Sequence, residues 1–202
     1  MSGTTTHAGI DYGSKLAGTT AVAMQRQDEI QVWQSSRGQD ADLWLLRLLK
    51  ELHPTAVFID APLSLPQVYH TPFPADAAAD YFYRASDRAV RAMSPMFIGG
   101  LTARAMRLQA NWQQQSGIGL TETYPSQLMR LLWPEEKDYK KGKVPTERHL
   151  LWLQEQVKVQ LPQLPLQNWH QFDAVLAWYS GKRFYKGEAA VYGTAAEGQI
   201  VV

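Results

Sequence analysis

The sequence predicts an α/β fold, a mixed sheet flanked by helices, and three observations carry that expectation. The apolar run Ala8–Ile10 ends in Asp11, and a turn bounded by Gly13 and Gly18 leads into a second strand-like run, Thr19–Met24. That is the pattern of an antiparallel hairpin, because glycine supplies the turn geometry and β-branched Thr and Val favour the flanking pleat. Further on, AVFI (56–59) is a continuous apolar run that also ends in an acid, Asp60. Such a run suits a strand buried on both faces. A stretch of helical periodicity separates the two. Parallel strands joined by a helix tend to be neighbours and to carry functional groups at their carboxyl ends. Asp11 and Asp60 are therefore expected side by side.

Each element can be justified in order. EIQVWQ, Glu29–Gln34, alternates polar and apolar residues and reads as a third strand. Asp40 is placed to cap a helix over Ala41–Leu52, whose Leu45, Leu48, Leu49 and Leu52 share one face, and Pro54 follows its end. The stretch from Pro66 to Gly117 changes in composition. Pro66, Pro72 and Pro74 exclude a strand, the Ala-rich Ala75–Arg91 predicts a helix, and Pro95, Gly99 and Gly100 interrupt it before a second helix over Leu101–Gln115. We read this as an α-helical insertion at about residues 66–118 within one domain spanning 1–202. Its arginines, Arg84, Arg88, Arg91, Arg104 and Arg107, either meet phosphates or coat a solvated face.

Beyond the insertion, GLTETY (119–124) predicts a strand stopped by Pro125, with Glu122 near its end and a short helix over Ser126–Leu132. A charged loop, PEEKDYKKGK (134–143), presents Tyr139, Lys140, Lys141 and Lys143. An amphipathic helix follows over Pro145–Leu161, with Leu150, Leu153 and Val157 in one stripe. Asn168 is a plausible cap for a helix over Trp169–Ser180, in which Phe172, Val175, Leu176 and Tyr179 face the core and Asp173 lies at the stripe's edge. The tail closes as a hairpin through Ala195–Gly198.

Composition narrows the chemistry. The 202 residues include no cysteine, which excludes disulfides, thiol nucleophiles and Cys-based zinc sites. The N-terminal MSGTTTHAG has no signal-like segment, and no run approaches the ~18 apolar residues of a membrane span. No membrane association and a cytoplasmic location are the expectation. A net charge of +1 lacks the strong basic footprint of a sequence-independent DNA binder, though it permits a local basic patch.

Four acids stand out: Asp11, Asp60, Glu122 and Asp173. Three end or flank predicted strands and one edges a late helix. Clustered carboxylates repel one another and stay ionised together only with a counter-cation. Hard Mg²⁺ or Mn²⁺ suits such oxygen ligands, and a pair of ions about 4 Å apart can hold a phosphodiester and activate water. The alternative for Asp11 is an exposed acid opening a β-turn. His170, three residues before Asp173, reads either as a further ligand or as a surface residue near a helix start.

The order of elements and the motifs GIDYG, IDAPLSLP, RASDRAVR, ETYPS, YKK, FDAVLAWYSG and EGQIVV resemble domain-of-unknown-function family 429, whose members are described as predicted nucleases of ribonuclease H-like fold. The resemblance spans nearly the whole chain. It implies a ribonuclease H-like mixed five-stranded sheet with a helical insertion. It implies that Asp11 and Asp60 are paired strand acids, that Asp173 is the acid on the final helix, and that Glu122 joins them as catalytic and metal-binding groups. Arg84, Asp87 and Arg88 match the family's arginine-bearing segment, and Lys140 the lysine after its tyrosine. Arg84, Arg88, Lys140 and Lys141 are expected to contact the phosphates of DNA or RNA. The same fold hosts sugar-kinase and actin-like phosphotransferases. A nucleotide-binding phosphotransferase with Gly13–Gly18 as phosphate cradle therefore stands as the alternative, beside a non-catalytic nucleic-acid or protein-binding scaffold. The first of these lacks a G-x-x-x-x-G-K-[ST] motif.

Overall fold

The computed structural model describes residues 6–70, 80–162 and 166–202. Its centre is a five-stranded mixed sheet in the order β3-β2-β1-β4-β5. The strands are β1 (His7–Asp11), β2 (Ala21–Arg26), β3 (Glu29–Gln34), β4 (Ala56–Asp60) and β5 (Leu120–Glu122). β1 pairs antiparallel with β2 and parallel with β4, in a register that sets Asp11 level with Asp60. The expected adjacency of the two acid-ended strands is what the structure has.

Strand alternation divides the sheet into two faces. Ala8 and Ile10 of β1 and Val57 and Ile59 of β4 pack into one apolar cluster with Leu45, Leu48 and Leu49 of α1 (Ala41–Leu52) and Leu108 and Trp112 of α3 (Gly99–Ser116). Gly9, Asp11, Phe58 and Asp60 consequently point to the opposite face. There α6 (Trp169–Tyr185) buries Phe172, Val175, Leu176 and Trp178 in a second cluster with Leu128 of α4 (Pro125–Leu132) and Leu153 and Val157 of α5 (Glu147–Val157). Asp40 caps α1 by accepting the Asp42 and Leu43 amides, and Asn168 caps α6 by accepting the Gln171 amide.

The insertion is less helical than its composition suggests. Its first helix, α2, covers only Ala85–Val90. Asp80 does not extend it; its carboxylate instead accepts the Phe82 and Tyr83 amides in a local turn. Residues 75–79 of that expectation lie outside the described residues. Gly99 and Gly100 open α3 rather than interrupting it. The terminal hairpin, β6 (Val191–Thr194) and β7 (Gly198–Val201), folds back over the insertion. The Glu197 carboxylate at its turn accepts the amides of Gln67 and Ala85, and the Ser64 hydroxyl donates to the Glu197 carbonyl. Among the described residues, no helix is long and apolar enough to cross a membrane.

Candidate metal centre

Glycine in β1 determines how near the last helix can come. A Cβ added to Gly9 would meet the Trp178 amide nitrogen at 1.9 Å and the Ala174 carbonyl oxygen at 2.5 Å. Only a residue without a side chain lets α6 lie backbone-to-backbone on the central strand. That approach carries Asp173, itself 1% exposed, onto the carboxyl ends of β1 and β4. Ligand oxygens of Asp11, Asp60 and Asp173 lie within 4.8 Å of one another. Oxygens across an octahedral Mg²⁺ are about 4 Å apart. Adjacent donors are closer, about 3 Å, so the three carboxylates would draw together around a single hard cation, for which three oxygen donors without sulfur are the preferred chemistry. The donor set fits Mg²⁺ or Mn²⁺.

The charges are balanced in part by the protein itself. The Lys140 ammonium lies 2.5 Å from Asp173 Oδ2, and the Tyr139 hydroxyl donates to Asp173 Oδ1 at 2.5 Å. His170 Nδ1 lies 2.7 Å from Asp11 Oδ2. Burial, followed by the Asp11 charge, pushes Asp60 well above the ordinary carboxylate range. Burial likewise pushes Asp173 up to about 6, against the downward pull of Lys140. Burial works against the Lys140 ammonium, but Asp173 and Asp60 outweigh it and hold the lysine charged. The hydrogen bond to Asp11 raises His170 above an ordinary histidine, with burial opposing. Three carboxylates thus face one lysine and one half-exposed histidine, so ionising all three together leaves a negative excess for a cation to neutralise.

Glu122 does not join them. β5 pairs with β4 so that Glu122 is level with Ile59, not Asp60. A one-residue offset reverses the face of the sheet, so Glu122 points away from the three aspartates. Its two oxygens instead accept from Arg84 Nη2 at 2.6 Å and Nη1 at 2.7 Å, and Oε2 also accepts the Leu63 amide. Burial raises the Glu122 pKa and Arg84 opposes it; the two-pronged guanidinium contact is that of an ion pair.

Of the four expected phosphate contacts, only Lys140 reaches the cluster. Arg84 is 0% exposed and also grips both oxygens of Asp87 and the Ser64 hydroxyl. It is a buried structural cation. Arg88 is exposed and paired with Asp80, and Lys141 is exposed and paired with Asp138. Arg104 and Arg107 are held by Asp42, which also accepts from Tyr12. Sequence reasoning left His170 open and gave Tyr139 no role. The signal for His170 was its three-residue spacing from Asp173, which puts both on one side of α6.

No family model matches this chain. No curated protein shows significant similarity to it.

Two donors of the Gly13–Gly18 turn, the phosphate cradle of the alternative reading, are already engaged. The Gly13 and Ser14 amides donate to the hydroxyls of Thr20 and Thr19. These two amides are therefore not free for a phosphate.

Two predictions follow from these charges. Between pH ~4 and ~6 the unfolded chain has released the Asp173 proton while the folded, metal-free protein still holds it. The folded state binds more protons there, so stability falls as pH rises through that window. Melting in EDTA across pH ~4 to ~7 should show this fall, and Asp173→Asn should make it shallower, leaving the share of Asp60. Separately, Arg84→Met leaves two buried carboxylates uncompensated and should cost about 3–5 kcal/mol in urea denaturation. A surface contact would cost under about 0.5 kcal/mol.

Proposed function

We propose that this chain is a metal-dependent phosphodiesterase acting on nucleic acid, of ribonuclease H-like fold and similar to family 429. The observation that carries this is the convergence of Asp11, Asp60 and Asp173 at the carboxyl ends of two adjacent parallel strands and on the helix packed across them. The sheet order β3-β2-β1-β4-β5 is compatible with that fold.

On this reading the three aspartates hold Mg²⁺ or Mn²⁺. When bound, such ions neutralise a phosphodiester and lower the pKa of the attacking water. The remaining roles belong to side chains already in place. Asp11 and Asp60 sit on rigid strands, which fixes the spacing of the donors. Tyr139 fixes the Asp173 carboxylate by donating to its Oδ1. Lys140, from a loop, offers the cluster a mobile positive charge for a phosphate oxygen. His170, half-exposed and bonded to Asp11, is placed to exchange a proton between the site and solvent. The acids of the cluster are not consumed by arginine pairs, as those of a purely structural network would be. Asp42, Asp80, Asp87 and Glu122 are consumed in that way.

The test is cleavage of labelled single- and double-stranded oligonucleotides with Mn²⁺, with Mg²⁺ and in EDTA. Wild type should cleave only with metal. Asp60→Asn should remove cleavage while melting in EDTA at or above the wild-type temperature, because the change relieves like-charge repulsion. Cleavage that persists in Asp60→Asn would remove the cluster from the chemistry.

A further inference from the structure

A cavity of about 170 Å³ adjoins the aspartate cluster and shares one wall with it, Asp60. Its other walls include Met93 and Ile98 from the segment before α3, Leu101 from the first turn of that helix, and Thr123. Extending the β4–β5 register by one step brings Thr123 level with Asp60, and the Thr123 amide donates to the Ile59 carbonyl at 2.9 Å. Thr123 is 2% exposed, and its hydroxyl has no hydrogen-bond partner among the described residues. A buried hydroxyl left unpaired costs about 1–3 kcal/mol, so a site that keeps one beside a cavity is shaped for a polar ligand. Asp87 and Glu122 also reach this cavity, but Arg84 holds their oxygens. The polar side chains left to meet a ligand are thus Asp60, Thr123 and Tyr124, within otherwise apolar walls.

The segment that supplies Met93 and Ile98 also presents aromatic surface. Phe97 is 62% exposed and Phe82 is 53% exposed, with ring centroids 5.5 Å apart. Tyr83 meets Phe97 edge-on and carries the Arg88 guanidinium over its face at 4.4 Å. Exposed aromatics with a stacked arginine are the surface on which unpaired bases stack, and each stacked base contributes about 1–3 kcal/mol. A duplex keeps its bases within its own stack and offers such a surface little.

We propose that the cavity beside Asp60 receives one unstacked base and that Phe82 and Phe97 stack its neighbour, so that the substrate is single-stranded nucleic acid. This rests on the phosphodiesterase reading and deepens it by choosing the substrate class. The base would enter edge-first, its amino or imino groups meeting the Thr123 hydroxyl. Its phosphate would remain outside, beside the three aspartates. An apolar cavity with a few polar groups is how extruded bases are held elsewhere.

The experiment measures binding, not cleavage. Fluorescently labelled single-stranded and duplex oligonucleotides of equal length are titrated in EDTA, read by anisotropy, with wild type, Thr123→Val, Ile98→Trp and Phe97→Ala. Thr123→Val keeps the shape and removes the hydroxyl; Ile98→Trp fills the cavity from a half-exposed position. Wild type should prefer the single strand by at least about tenfold, and each variant should weaken single-strand binding about tenfold while leaving duplex binding unchanged. Equal affinity for both forms would overturn the proposal, as would variants that bind single strands like wild type. A strand preference in a protein that no metal activates would sink the phosphodiesterase reading and leave a single-strand-binding site. Metal-dependent cleavage without the preference would do the reverse.

Discussion

Helix α6 and strand β1 touch through their backbones at Gly9, and the arrangement of the carboxylates depends on that contact. With any side chain at position 9 the helix would stand off the sheet, and Asp173 would withdraw from Asp11 and Asp60. The approach is driven by apolar burial. Phe172, Val175 and Leu176 are fully buried on the same helix, and burying each such side chain is worth about 1.5–3 kcal/mol. That gain is set against the repulsion of three partly neutralised acids. Packing is therefore what forces like charges together, and the local groups Lys140, His170 and Tyr139 only reduce the penalty.

The molecule treats its buried acids in two ways. Away from the cluster they are locked by arginine: Arg84 binds both Asp87 and Glu122, and Arg104 and Arg107 bind Asp42. A guanidinium makes a planar, two-pronged contact that is hard to replace. At the cluster the counter-charges are a lysine and a histidine. Lys140 is a point charge on a flexible stem, carried by a loop residue with φ 61°. It can yield its place to an ion in a way that buried Arg84 cannot. This contrast supports the proposed metal site, and it explains why removing Arg84 should destabilise the protein while removing a cluster acid should not.

Much of the scaffold was legible because local signals agree with tertiary ones. Apolar runs ending in Asp11 and Asp60 became neighbouring parallel strands, the Asp40 cap and the α1 leucines fell where periodicity put them, and Asp173 lay at the cluster. The misplacements have specific causes. Glu122 is acidic and near a strand end, but its face depends on a register of one residue that composition does not encode. Arg84 sits in an Ala-rich stretch that reads as a solvated helix; its burial is decided by Glu122, 38 residues away. Asp80 looked helical and formed a turn, because its side chain competes for backbone amides. The roles of His170 and Tyr139 required contacts 159 and 34 residues apart in sequence.

The claim that the three aspartates form a cation site is tested most directly by growing crystals with Mn²⁺ and measuring anomalous scattering at the manganese edge. The account predicts a peak bonded by oxygens of Asp11, Asp60 and Asp173, with the Lys140 ammonium moved off Asp173. A map with no peak at the cluster, or a peak elsewhere with Lys140 still on Asp173, would contradict it.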